Sequence, residues 1–278
     1  MTKVTTSTVG DAIRAAASRL EETSPTARLD AELLMADALG MKRSDMLIRA
    51  MRSDAPEGFA ALVDRRANCE PVAHILGHQE FYGRELLVTA DTLIPRGDSE
   101  LLVACALEMK PAPSRVLDLG TGTGALLLSV LAETSAKGVG TDRSAAALAV
   151  AHDNADRLGV EDRARFYLLD WHKEGWADEL GQFDLILCNP PYVEESATLE
   201  PDVRGFEPHG ALFAGPEGLD DYRVIIPQLR NLLTDGGRVI LEIGHEQSAS
   251  VSEIAQAAGF TVELRRDLAD RPRALILT

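Results

Sequence analysis

The tetrapeptide Asn189-Pro190-Pro191-Tyr192 follows Phe183-Asp184-Leu185-Ile186-Leu187-Cys188, an apolar run that reads as a buried strand. Two consecutive prolines have fixed φ and no N–H, so the loop presents carbonyl acceptors without donors. Asn189 precedes a proline and is biased to extended geometry, which would hold its amide rigidly at a pocket mouth. These residue types suit a planar nitrogen, an amide or aromatic amine, whose delocalised lone pair makes it a poor nucleophile. The Asn189 side-chain oxygen and the Pro190 carbonyl could grip its two hydrogens as positive charge develops, favouring a pyramidal nitrogen. Tyr192 could stack on or cover the planar group. Orientation supplies on the order of 7–11 kcal/mol in well-aligned reactions, so no strong general base is required. The plainer reading is a strand ended by prolines beside a packed tyrosine.

A second constellation lies upstream. Val116-Leu117-Asp118-Leu119-Gly120-Thr121-Gly122-Thr123-Gly124 reads as a strand, a glycine turn and the start of a helix. Gly120, Gly122 and Ala125 also satisfy the dinucleotide spacing G-x-G-x-x-A. Asp118 would face a pyrophosphate unfavourably, whereas a cationic methionine head, with its ammonium and sulfonium groups, would be attracted to it. Asp142, about twenty residues further on, is placed to bind ribose hydroxyls, or equally to cap a helix starting near Ser144. In Asp170-Trp171 the carboxylate could accept from an adenine amino group and the indole could cover the ring; packing is the alternative for the tryptophan. Together these residues point to S-adenosylmethionine as the cofactor. Read from the residues, its site would comprise Asp118, Gly120, Gly122, Gly124, Asp142, Asp170 and Trp171.

Both constellations need a framework. The first eighty or so residues read as short helices: Val9, Ile13, Ala16, Ala17 and Leu20 recur at helical spacing after Ser7 and Thr8. A second helix, Leu29 to Leu39, places Leu29, Leu33, Leu34 and Ala38 on one face. Ser44 to Met51 and Pro56 to Cys69 make two more, and Pro71 closes the set. Glu80 to Thr89 reads as a hairpin, and Ser99 to Leu107 as a helix. Strands are expected at 115–119, 138–141, 164–168, 183–188, 238–242, 261–264 and 274–277, and helices at 124–133, 144–158, 219–233 and 247–258. Such alternation means a mostly parallel sheet covered on both faces, and one of the last two strands, with no helix between them, should be antiparallel.

The charge of −16 at neutral pH makes a phosphate backbone a poor partner, so no direct binding of nucleic acid is expected. It suits a basic partner or simply solubility. No apolar run is long enough to span a membrane, and residues 1–6 lack a signal-like stretch. Three scattered cysteines, Cys69, Cys105 and Cys188, fit a cytoplasmic protein without disulfides.

These motifs, with His74-Ile75-Leu76-Gly77-His78-Gln79-Glu80-Phe81-Tyr82, Leu93-Ile94-Pro95-Arg96-Gly97-Asp98-Ser99-Glu100, Phe206-Glu207-Pro208, Gly218-Leu219-Asp220-Asp221-Tyr222 and Leu241-Glu242-Ile243-Gly244, resemble the HemK/PrmC family. The likeness covers nearly the whole chain and is weakest over the first seventy residues. The resemblance implies N5-methylation of the glutamine in the Gly-Gly-Gln motif of class I peptide chain release factors. It implies an α/β, class I (Rossmann-like) seven-stranded S-adenosylmethionine methyltransferase fold with a small N-terminal helical domain. The expected organisation is a helical substrate-recognition domain over 1–78, a hairpin linker over 79–90 and a catalytic domain over 91–278, acting as a monomer. Gly120 to Gly124, Asp142, Trp171 and Asn189 match the family's cofactor contacts. Asn189, Pro190, Pro191 and Tyr192 match its glutamine-binding loop, with Asn189, Pro190 and Tyr192 as catalytic residues. Gly97 departs from the family's usual proline.

Three other readings share parts of the pattern. A glutamine methyltransferase acting on a ribosomal protein carries the same tetrapeptide, but His78-Gln79-Glu80-Phe81 favours the release-factor branch. An adenine-specific N6 nucleic-acid methyltransferase needs a basic groove that the charge argues against. A nicotinamide oxidoreductase shares only the glycine turn. The six histidines show no ligand spacing, so no metal is expected. His78 reads as structural, Cys188 as a small buried residue, and Glu207 and Glu242 as pocket or scaffold carboxylates.

Overall fold

The computed structural model describes residues 7–278; residues 1–6, read above as lacking a signal-like stretch, lie outside them. The chain divides into two compact units. One comprises the helices up to His78 and a returning segment, Leu199–Phe206; the other comprises Gln79–Thr198 and Glu207–Thr278.

The first unit contains α1 (Val9–Leu20), α2 (Ala27–Ala38), α3 (Arg43–Arg49), α4 (Phe59–Ala67) and α5 (Val72–Leu76). Thr8 caps α1, its hydroxyl accepting from the Asp11 N–H at 3.2 Å, and the stripe Val9, Ile13, Ala16, Leu20 is buried as its spacing requires. In α2 the buried face is turned from the one expected. Leu29 is 41% exposed, while Ala31, Leu34 and Met35 are buried. The cause is Asp30, which points inward to take donors from Ser24, Thr26 and Arg66. Pro71 does not close the set of helices but opens α5, where a missing N–H costs nothing. Gly77, at φ +77°, stops α5. A further helix, which we label α9 (Pro201–Phe206), has no counterpart among the elements expected from sequence; its Asp202 meets Arg66 at 3.4 Å.

In the second unit β1 (His78–Phe81) and β2 (Arg84–Leu87) form the hairpin. Both loop residues, Tyr82 and Gly83, have positive φ, the requirement of the tight turn that matches strand twist. Phe81 and Leu86 join the core of this unit, and the Asn154 side chain bonds both the N–H and the carbonyl of Leu87.

There follow α6 (Glu100–Leu107), β3 (Arg115–Leu119), α7 (Ala125–Glu133), β4 (Lys137–Asp142), α8 (Ala145–Arg157), β5 (Ala164–Leu168) and β6 (Phe183–Cys188). After α9 come α10 (Asp220–Ile225), β7 (Leu233–Glu242), α11 (Ser248–Ala257), β8 (Val262–Arg266) and β9 (Pro272–Leu277). The seven-stranded sheet has the order β5-β4-β3-β6-β7-β9-β8. Pairings from β5 through β7 are parallel, and β9, inserted between β7 and β8, is antiparallel to both. The single helix expected over 219–233 breaks after Ile225 into a 3₁₀ segment, Ile226–Leu232, because Pro227 lacks an N–H to continue the ladder.

The central strands β3 and β6 are buried on both faces, as parallel sheets require. Val116, Leu185 and Leu187 face one core with α6 and α7, while Leu117, Ile186 and Cys188 face the other with Tyr222 and Val251. The chain moves outward from β3 in both directions, to β4 on one side and β6 on the other. The carboxyl end of β3 is therefore the switch point at which open α/β sheets leave a crevice.

Candidate active site

A cavity of about 270 Å³ opens at that switch point. Its floor is the turn after β3. Gly120 and Thr121 both donate their N–H to the Thr141 carbonyl at 2.9 Å, which ties the turn to β4. Gly120, Gly122 and Gly124 take φ of +72°, +53° and +81°, a region that favours glycine. A Cβ on Gly120 would stand 3.1 Å from the Trp171 ring, so the turn and the indole are built against each other.

Asp118 is 1% exposed and lines this cavity. Its Oδ2 accepts from the Thr121 hydroxyl at 2.7 Å, while its Oδ1 is buried without a hydrogen-bond partner among the described residues. Burial pushes its carboxyl up to about 7, against the Thr121 hydrogen bond, and the nearby Asp142 adds to the rise. Asp142 is not itself the cap of α8 but braces the residue that is. Its Oδ2 accepts from Gly122 N–H at 3.0 Å and its Oδ1 from Ser144 N–H at 2.9 Å, while Ser144 itself caps α8. The carboxylate thus orders two turns and still lines the cavity.

Trp171 forms a wall. Its Nε1 donates to Asp221 Oδ1 at 2.7 Å, and the same oxygen lies 3.0 Å from His172 Nε2. Asn189, one residue beyond β6, also lines the cavity, and its Nδ2 donates to Ser99 Oγ at 3.5 Å. With Nδ2 so engaged, the amide oxygen is the acceptor that Asn189 can offer. The remaining wall comes from 90–96 and 208–211. Glu207, 4% exposed, accepts from Ile94 N–H at 3.0 Å and pairs with Arg96, while Arg143 donates to the Gly210 carbonyl at 2.6 Å.

Comparison with known proteins agrees with this architecture. Residues 11–77 match the PrmC N-terminal domain and residues 112–260 match a methyltransferase domain. The release factor glutamine methyltransferase of Cereibacter sphaeroides is 42% identical over 271 residues, covering 95% of each chain. That of Agrobacterium fabrum is 40% identical over 269 residues, covering 92% of this chain and 91% of its own. The chain belongs to the release factor glutamine methyltransferase family. A solved methyltransferase from Pyrococcus furiosus superposes with a TM-score of 0.50 over 70% of this chain and 89% of its own; at 18% identity it speaks for the fold alone.

In this methyltransferase Asp118, Gly120, Thr121, Gly122, Thr123, Asp142, Trp171, Asn189 and Pro191 line one cavity. Gly124 sits just behind it as the N-cap of α7, where a Cβ would strike Leu128. Asp170 departs from the expectation. It is not among the lining residues, and its Oδ1 accepts from His172 N–H at 3.1 Å in a local turn. Pro190 is buried, and Tyr192 packs into the core behind the loop, where its hydroxyl donates to Glu242 Oε1 at 3.3 Å instead of covering the cavity.

Sequence reasoning misses the roles of Ser99, Asp221 and Arg143 altogether. The segments that carry Ser99 and Asp221 are family-like, but only the fold gives those residues partners. Glu207 and Glu242 stand out in the sequence as carboxylates without a defined role. A buried carboxylate with one unpartnered oxygen on a cavity-lining residue, a glycine floor without side chains and an indole wall together fit a cationic nucleoside such as S-adenosylmethionine. Glycine spacing and one uncommitted acid are what a methionine ammonium and a ribose require, so the residues suit the group.

Proposed function

We propose that this methyltransferase, with S-adenosylmethionine as cofactor, methylates the side-chain amide nitrogen of the glutamine in the Gly-Gly-Gln motif of class I release factors. The observation that carries the reading is Asn189, whose amide oxygen is left as an acceptor beside the cavity that Asp118 and the glycine turn build. When bound, S-adenosylmethionine supplies an electrophilic methyl group. Asp118 would hold the donor's cationic head, and Asp142 its ribose. The Asn189 oxygen and the Pro190 carbonyl would take the two amide hydrogens of the incoming glutamine, turning its lone pair toward the methyl group. The buried prolines hold those acceptors without a competing donor. Tyr192, tied back to Glu242, would stiffen the loop from behind rather than stack on the substrate.

In this reading the helical region over 1–78 recognises the release factor and 91–278 performs the transfer, with the hairpin region between them. The chain acts as a cytoplasmic monomer and does not bind nucleic acid directly, a view its charge of −16 supports. Among the described residues no helix is long and apolar enough to cross a membrane.

The test is transfer of labelled methyl to a release factor and to its Gln-to-Ala variant. Labelling of the first alone is expected, and equal labelling of both would refute the glutamine assignment. Asn189→Ala should keep cofactor affinity within about twofold while kcat falls by about a hundredfold or more, the scale of losing a transition-state hydrogen bond. Loss of cofactor binding as its main effect would refute the grip.

A further inference from the structure

The reaction assigned above does not explain Glu242. It ends β7 next to β6, with Leu241 paired to Cys188, and is 1% exposed. The Tyr222 hydroxyl fixes its backbone carbonyl at 2.9 Å. Its carboxyl meets two parts of the acceptor site at once. The Tyr192 hydroxyl donates to Oε1 at 3.3 Å, and a hydrogen bond from the Ser99 hydroxyl favours the ionised carboxylate. Oε2 has no partner at full hydrogen-bond geometry among the described residues. Ser99 is itself buried and is the group that receives Asn189 Nδ2. These contacts are long, as catalytic hydrogen bonds commonly are before substrate engages.

We propose that Glu242 and Ser99 are positioning residues that set which face of the Asn189 amide, oxygen or nitrogen, meets the acceptor glutamine. The proposal rests on the glutamine reading above. The reasoning is one of hydrogen-bond direction. An ionised carboxylate can only accept. Ser99 must then give its proton to Glu242, which leaves its lone pairs for Asn189 Nδ2 and turns the Asn189 oxygen to the substrate. A protonated Glu242 can donate to Ser99, and Ser99 can then donate to the Asn189 oxygen. That reverses the chain and presents an NH₂ group to the substrate's own NH₂. Two donors facing each other cannot grip.

The setting makes this reversal accessible near neutral pH. Burial raises the Glu242 carboxyl to about 7, opposed by Ser99, Arg273 and Tyr192 and reinforced by Asp98. Tyr192 and Tyr222 are pushed above the usual phenol range by burial, so they remain donors throughout.

The experiment has two arms. In the first, kcat is measured against pH with cofactor saturating at each point, which removes the Asp118 contribution. Wild type should lose turnover as pH falls through about 7. Glu242→Gln should lower kcat by about tenfold or more, the loss typical of a hydrogen bond to a charged group, with cofactor KM little changed and the acid limb gone. Ser99→Ala should fall similarly, the double variant should be no worse than either single one, and Ser99→Thr should recover the loss. An unchanged kcat and acid limb in Glu242→Gln would overturn the proposal.

The second arm needs no turnover. The side-chain amide NMR signal of Asn189, assigned by its loss in Asn189→Ala, should shift with pH around 7 in wild type and stay fixed in Glu242→Gln. A signal that never titrates in wild type overturns the positioning role whatever the acceptor. A signal that titrates in an enzyme inactive on release factors leaves the positioning intact and refutes the acceptor assignment instead.

Discussion

Burial raises the Asp118 carboxyl to about 7, so near neutral pH it is divided between a neutral form and a charge with one unpartnered oxygen. A cationic ligand selects the charged form. Cofactor affinity should therefore be highest above pH 8 and weaken about tenfold for each unit below 7, the equivalent of one pKa unit per decade. Calorimetry at pH 6, 7 and 8 measures this directly. Asp118→Asn should bind more weakly at pH 8 and show a flatter profile; an equally steep profile in the variant would show that another group is titrating. The residue scale also explains why Asp142 and Asp170 part ways. Both accept a backbone N–H two residues on, at Ser144 and His172, but only Asp142 reaches back to Gly122 and so stays at the cavity.

At the scale of elements, the turn after β3 and the segment after β5 form a matched pair, with Gly120 against Trp171 and Trp171 held by Asp221 on α10. Gly159, which follows α8, takes a similar φ of +65°, but a Cβ at that position would meet nothing within 4 Å. The two positions separate backbone strain from packing. Alanine at either should cost about 1–2 kcal/mol for the left-handed conformation, lowering the melting temperature by about 2–8 °C. Only Gly120→Ala should also lower cofactor affinity, because its methyl group displaces the indole wall. Equal affinity in the two variants would mean that Trp171 does not shape the cofactor site.

Over the whole molecule the two raised carboxyls, Asp118 and Glu242, act together on stability. Both have a folded-state pKa of about 7 against ordinary values of 3.8 and 4.5. Between roughly pH 4 and 7 the native state holds more protons than the unfolded chain, so their contribution is full below that window and is lost as pH rises through it. The shifts correspond to on the order of 3–4 kcal/mol for each group. Glu70, held below its usual range by Arg65, and Asp184, held down by Ser114, work in the opposite sense and lose their contribution only at more acid pH. Denaturant melts at pH 5 and pH 8 should show wild type losing stability on alkalinisation, and Asp118→Asn/Glu242→Gln losing much less. Parallel pH slopes would refute the assignment.

What the sequence by itself determined was local or periodic. Alternating strands and helices, the glycine turn, the proline-locked tetrapeptide and the helical stripe of α1 are all written within windows of a few residues, where backbone sterics and burial decide the outcome. The strand order then placed Gly120, Gly122 and Asn189 at one switch point. Tertiary structure alone decided the rest. Asp30 found Arg66 and turned α2 away from Leu29; Asp170 ended off the cavity lining; Tyr192 went inward to Glu242 rather than outward over the cavity. Ser99 meets Asn189 across ninety residues, and Tyr192 meets Glu242 across fifty. A polar side chain has no periodicity to announce its partner. Where it points is settled only when burial forces it to choose among the donors and acceptors that the fold brings within reach.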